Sequence, residues 1–274
     1  MRAYYTEKDY GVIDIITELR KAIKMFELST FYNKEIKENI NIDNTIGYIY
    51  IKIYELISNR EQSAYSKKDL DEYAKLALKF CTESAQNYSP SVNSIKNLGI
   101  AYERNGRLSK AIKSYKEATK KDPIDYSSRI CLASAYLKKL KRKIGFTYER
   151  EILLCEMTII PDKSYFKLLE LAKMELDVAH IIDSKSLNYY YKMGELYTCY
   201  YLLKKDITYK EKATYYFEIS ENLNNGFIAH RFHERNLYEA IGDINTAKSI
   251  NDNLDGREKK HLERLYEGYL TRIK

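Results

Sequence analysis

Apolar and polar positions follow a helical period along nearly the whole chain. Between Asp9 and Leu28, apolar residues recur at Val12, Ile15, Ile16, Leu19, Ala22, Ile23 and Phe26. These spacings of three and four put them on one stripe of an amphipathic helix. Ile46 to Ile57 is more evenly apolar, with Tyr48, Tyr50, Ile51, Ile53 and Tyr54, and predicts a helix buried on most sides. Leu70 to Ala85 returns to the amphipathic pattern through Tyr73, Ala74, Ala77, Leu78 and Cys81. No stretch alternates with period two, so the pattern predicts roughly a dozen helices and no strand, an all-α chain. The three prolines, Pro90, Pro123 and Pro161, each fall between periodic segments, where a residue without a backbone N–H separates helices rather than breaking them.

One stretch repeats a recognisable unit. From Val92 to Asp125 the chain reads VNSIKNLGIAYERNGRLSKAIKSYKEATKKDPID. Gly99 and Ala111 are small where two antiparallel helices would cross, so the backbones can approach. Leu98, Tyr102, Tyr115 and Ala118 fill the interface, Gly106 sits in the turn, and Pro123 closes the second helix. These positions in register resemble the tetratricopeptide repeat (TPR), with Ile95 where that repeat usually carries tryptophan.

Neighbouring segments carry the signature less completely. Leu132-Ala133 and Tyr136 repeat the first helix, with the second helix delayed through KKLKRKIGFTYERE and ending before Pro161. Met193-Gly194 and Tyr197 repeat it again, and Ala213, Phe217 and Ser220 repeat the second helix. Here the turn reads seven residues longer than in the exact repeat, with Asp206 ahead of Ala213 and Gly226 behind, which resembles the related Sel1-like repeat. The segment KKDLDEYAKLALKFCTES, with Asp69 and Ala74, is similar. Tyr238, Gly242 and Ala247 mark a last repeat, and Arg257 to Arg272 reads as a polar-faced capping helix. Tyr165 to Ile182 is a degenerate first helix or an insertion. The expected organisation is an N-terminal helix or cap over residues 1–42, a repeat solenoid over 43–256, and a capping helix over 257–274.

The resemblance implies an α-solenoid of antiparallel helix pairs whose concave groove, lined by the first helix of each pair, holds a peptide or protein segment. In the exact repeat the positions facing that groove are Asn93, Lys96, Ile100 and Arg104. The same offsets give Ser127, Ser134 and Lys138, then Asn188, Tyr191 and Glu195, then Phe232 and Asn236. Asparagine can bond a peptide backbone as donor and acceptor, lysine and arginine can pair with its carboxylates, and tyrosine and phenylalanine give apolar anchor area.

Composition narrows the remaining choices. With 3 Pro and 10 Gly in 274 residues, the chain is too poor in turn formers for a many-stranded sandwich or a glycine-rich phosphate loop. A net charge of +7 is mild for a dedicated nucleic-acid protein. Its densest positive run, Lys138 to Lys143, reads as a solvated loop after a helix, or, in an alternative reading, as a regulatory subunit's contact with nucleic acid. His230 and His233 stand three apart without further ligands, and His180 and His261 are isolated, so no metal site is expected. Four dispersed cysteines, Cys81, Cys131, Cys155 and Cys199, read as reduced, buried side chains. Tyr189-Tyr190-Tyr191, Tyr200-Tyr201 and Tyr215-Tyr216 read mainly as packing between helices. Nucleotide-binding, hydrolase and kinase motifs are absent, so the expectation is no enzyme and no cofactor. The first residues contain no apolar leader segment, and the expected location is the cytoplasm.

Overall fold

The computed structural model describes residues 11–32, 41–58, 65–86, 90–146, 159–223 and 249. Among the described residues every element is an α-helix: α1 (Val12–Tyr32), α2 (Ile42–Ser58), α3 (Lys67–Ala85), α4 (Val92–Arg104), α5 (Leu108–Lys121), α6 (Tyr126–Lys143), α7 (Lys163–Ile182), α8 (Leu187–Lys204) and α9 (Ile207–Leu223). The last repeat at Tyr238, Gly242 and Ala247, the capping helix after Arg257, Phe232, Asn236, His230, His233, His261 and Cys155 lie outside the described residues.

Local chemistry sets the helix starts. Ser66 accepts from the Asp69 backbone N–H while the Asp69 carboxylate accepts from the Ser66 N–H, a reciprocal capping box. Ser91 and Asp125 cap α4 and α6 by accepting from the N–H groups of Ser94 and Ser128, at 3.1 and 2.9 Å. Pro90, Pro123 and Pro161 all lie outside helices. In the turn from α4 to α5, Gly106 takes a φ of +73°, which a side chain would strain. Asn105 beside it donates to the carbonyls of Ala74 and Ala101 at 2.6 and 2.9 Å, fastening the turn to α3.

The chain divides into two compact units, Met1–Pro123 and Ile124–Lys274. In the first, consecutive helices α1 to α5 pack on one another and α2 also lies against α4. Ile16 and Ile23 of α1 join Ile42, Ile46, Ile49, Ile53 and Ile57 of α2 and Tyr73 of α3 in one core cluster. Ile51, Ala77, Cys81 and Ala101 form a second. Burial pushes the Cys81 thiol up to about 12, so it packs as an uncharged side chain. In the second unit, α6 packs on α7 and α8, α7 on α8, and α8 on α9.

A glycine of the first helix marks the crossing in three pairs. A Cβ on Gly99 would lie 2.5 Å from the Tyr115 ring of α5, and one on Gly194 would lie 2.3 Å from the Phe217 ring of α9. A Cβ on Gly47 would lie 2.6 Å from Cys81 Sγ of α3.

The helix at 163–182, expected as a degenerate first helix or an insertion, packs on both α6 and α8. Two sequence expectations are corrected. Lys138 to Lys143 is not a loop: α6 continues through Lys143. The seven additional residues between Gly194 and Ala213 do not lengthen the turn. They extend the end of α8 and the start of α9, leaving only Lys205 and Asp206 between the helices.

Gly194→Ala should lower stability by about 1–3 kcal/mol through overpacking, although alanine favours an exposed helix by about 1 kcal/mol over glycine. Urea unfolding measures the loss, and adding Phe217→Leu should recover part of it. An unchanged midpoint would remove the close-crossing account.

Candidate interaction surfaces

In the first unit, the positions expected to line a groove fall on α4, and the same register occurs at the adjacent α2. Asn41, Asn44, Tyr48 and Lys52 stand in the same register relative to Gly47 as Asn93, Lys96, Ile100 and Arg104 do relative to Gly99. Amides fasten this surface from beneath. Asn41 donates to Ser94 Oγ and accepts from Ser84 Oγ, both at 2.8 Å, and Asn97 donates to Asn44 Oδ1 at 2.9 Å. Above them, Lys96 donates to Asn93 Oδ1 at 2.8 Å. Tyr48 is 43% exposed, with the Lys52 ammonium 5.3 Å from its ring centroid.

Arg104 has a structural partner. It donates to Glu55 at 2.7 Å, Lys52 donates to the same carboxylate at 2.9 Å, and the guanidinium lies 5.7 Å from the Tyr54 ring centroid. Burial alone would raise the Glu55 pKa, but hydrogen bonds from Lys52 and Arg104 outweigh it and hold the carboxyl below its usual range.

In the second unit the expected positions separate. Asn188 is exposed, and Ser127 and Lys138 are half-buried on α6. Tyr191 is only 8% exposed and packs with Phe217, Ala213 and Leu202, so the structure makes it a packing residue. Within the basic run, Lys141 has a side chain only 14% exposed and pairs with the buried Glu195. Lys143 donates to Ser164 Oγ at 2.8 Å. Arg129 and Glu175 form another mostly buried pair at 2.6 Å.

The tyrosine clusters form a network of ring contacts. His180 stacks on Tyr189 at 4.3 Å between centroids, and Tyr189 meets Tyr190 and Tyr216 edge-on. Tyr216 stacks on Tyr197, Tyr197 on Tyr209, and Tyr209 on Tyr200, at 5.5, 6.3 and 5.1 Å. Beside the end of this series is an open cleft of about 510 Å³. Helix α7 contributes Phe166, Glu170 and Lys173, spaced by four and three along one face. Tyr197, Tyr200 and Lys204 come from α8, and Tyr209 and Lys212 from α9. Sequence reading identified the tyrosines as packing but did not bring these lysines to them. The available signal was the seven-residue excess between Gly194 and Ala213.

Among the described residues no group of three His, Cys, Asp or Glu side chains is arranged to hold a metal. No described helix is long and apolar enough to cross a membrane.

No protein-family model matches the chain. No curated protein matches its sequence either. Among solved structures it resembles TTC0263, a thermophilic TPR protein of Thermus thermophilus. The identity is 12%, the TM-score 0.58, and the match covers 82% of this chain and 99% of that one. A structure of MamA matches at 18% identity and a TM-score of 0.45, over 70% of this chain and 92% of that one. With the helix pairs described above, the likeness to TTC0263 gives the fold class: an all-α, TPR-like α-solenoid of antiparallel helix pairs.

The Glu55 network has a pH signature. A folded pKa held below the unfolded value of about 4.3 contributes stability above that value, lost as pH falls through the folded pKa. Glu55→Gln should therefore cost about 1–3 kcal/mol at neutral pH. Urea titrations at pH 7 and at a pH below about 4 should show the difference from wild type shrinking in acid. A constant difference would contradict the assignment.

Proposed function

We propose that this chain is a non-catalytic interaction scaffold that holds a peptide or protein segment of a partner on its first-helix faces, in the cytoplasm. The observation that carries the reading is the paired surface of α2 and α4. Exposed Tyr48 and the polar groups of Asn93 and Lys96 lie over an asparagine–serine network that links the two helices. A prepared surface of this kind loses little side-chain freedom on binding. Tyr48 supplies amphipathic anchor area, Asn93 can bond a partner's backbone, and Lys96 can meet a carboxylate. Arg104 acts indirectly, fixing Glu55 and through it Lys52 at the surface edge.

In the second unit, Ser127, Lys138 and Asn188 are the corresponding contact residues, while Tyr191 supports α8 from within. Phe232 and Asn236 belong to the same proposal by register.

Tyr48→Ala combined with Lys96→Glu should reduce co-purification of native partners at least fivefold, read by quantitative mass spectrometry, with an unchanged thermal unfolding midpoint. Equal partner recovery from the variant and the wild type would reject this surface.

A further inference from the structure

We propose that the cleft between α7, α8 and α9 is a second binding site, taking an acidic segment of a partner protein whose carboxylates meet Lys204 and Lys212 and whose apolar side chain rests on Phe166. This site lies beyond the first-helix surfaces described above. At about 100° per residue, Tyr197, Tyr200 and Lys204 project from the side of α8 opposite Asn188, Tyr191 and Glu195.

The cleft depends on the residues that distinguish this helix pair from the exact repeat. Relative to Gly99, α4 ends at Arg104; relative to Gly194, the equivalent point is Cys199, yet α8 runs on to Lys204. Tyr200 and Lys204 lie in that extension. Tyr209 lies in the additional first turn of α9, ahead of the position equivalent to Leu108. Without the additional turns, Tyr200, Lys204 and Tyr209 would be absent from the lining.

Charge selects the ligand class. The lining carries three lysines against one carboxylate, Glu170. Lys173 donates to Asp177 at 2.7 Å and so is partly neutralised. Lys204 donates to the Tyr209 hydroxyl at 3.0 Å and lies 5.0 Å from that ring's centroid. Lys212 lies 5.6 and 5.7 Å from the ring centroids of Tyr197 and Tyr209. Both lysines are exposed and held on aromatic surfaces. Asp206 at the junction feels both positive charges but is engaged by the Thr208 backbone N–H and hydroxyl, and it makes no direct ion pair with either lysine. An acidic segment would supply that direct pairing.

Ring geometry disfavours a base-stacking ligand. Tyr197 is stacked on by Tyr209 and Tyr216, and Tyr200 by Tyr209, with Lys204 over Tyr200 at 5.7 Å. Nucleobases need open ring faces. These rings instead offer edges and hydroxyl groups, and burial raises the Tyr197 and Tyr200 pKa values, keeping both phenols protonated. A neutral phenol beside an ammonium group suits a carboxylate acceptor. The cleft's volume, about 510 Å³, accommodates a few side chains rather than a folded surface.

The test uses the full chain and a fluorescein-labelled peptide of Asp and Glu interspersed with Phe, followed by fluorescence anisotropy. Wild type should bind with an affinity that falls as salt rises. Lys204→Gln with Lys212→Gln should weaken binding at least tenfold, and the double Glu variant should weaken it further, with circular dichroism unchanged. Should the Glu variant not fold, the Gln variant decides. Lys96→Glu should leave this affinity within twofold, which separates failure of this cleft from failure of the first-helix surface. Absence of wild-type binding, equal binding by the Gln variant, or tighter binding of an oligothymidylate that competes with the peptide would overturn the proposal.

Discussion

Each of three helix pairs closes where a glycine on the first helix meets a large or polarisable side chain on the second. Gly47 faces Cys81, Gly99 faces Tyr115 and Gly194 faces Phe217. Because the missing Cβ is replaced by a partner's buried atoms, the crossing leaves little room for a different axial register. Tyr115 and Phe217 are among the largest fully buried side chains, and displacing either ring would open contacts on several sides. The crossing therefore fixes which residues of the first helix point inward and which are left to present a surface. Asn93 is exposed and Lys96 half-buried in the first unit because Gly99 and Ile95 are held inward.

A second constraint acts between pairs, and it is electrostatic. Glu55 of α2 takes Arg104 of α4, Glu175 of α7 takes Arg129 of α6, and Glu195 of α8 takes Lys141 of α6. These bonds cross helix boundaries while the carboxylates are largely removed from water. Such pairs return little net stability against apolar replacements, because desolvation consumes most of the attraction. A neighbour shifted along the helix would take Arg129 from the buried Glu175 and leave Glu55 and Glu195 only the lysines of their own helices, Lys52 and Lys192, which is costly. The pairs are thus better understood as setting register between packed helices than as adding cohesion. This also explains why a basic residue in the Lys138–Lys143 run belongs to the structure: Lys141 turns inward to Glu195.

Much of the architecture was readable because the decisive residues are close in sequence. Gly99, Tyr102, Ala111 and Tyr115 belong to one unit with a three-residue turn, so local spacing carries the packing relation. The equivalent crossing of α2 and α3 was harder to see. Ile46-Gly47 and Tyr50 match Leu98-Gly99 and Tyr102, but α2 is contacted by α1, α3 and α4. Its sequence is apolar on nearly every side, which hides the face that makes the crossing, and its partner Cys81 is far along the chain. As a result Tyr48, Lys52 and Glu55 were not associated with the α4 surface. For the cleft, the excess length was visible but its location was not. Residues added near a turn can lengthen the loop or extend both helices, and the outcome depends on tertiary packing. Here, Tyr197 stacks on Tyr209 and Tyr200 stacks on Tyr209 across the junction, giving the added helical turns an apolar contact that a loop would lack.

Tyrosine is the side chain that connects these levels. At a crossing it is used for its volume, as in Tyr115, whose hydroxyl still reaches Glu103 at 3.2 Å. In the series from Tyr189 to Tyr200, ring contacts provide the packing while hydroxyl groups can remain near polar surroundings. Phenylalanine would supply the same apolar contact but no terminal donor, and lysine alone would give charge without a fixed orientation. Where Lys204 and Lys212 lie over these rings, packing and charge occupy one structure. Extending α8 and α9 moves tyrosines beyond the crossing that would otherwise enclose them, so the same packing chemistry becomes part of an accessible cleft.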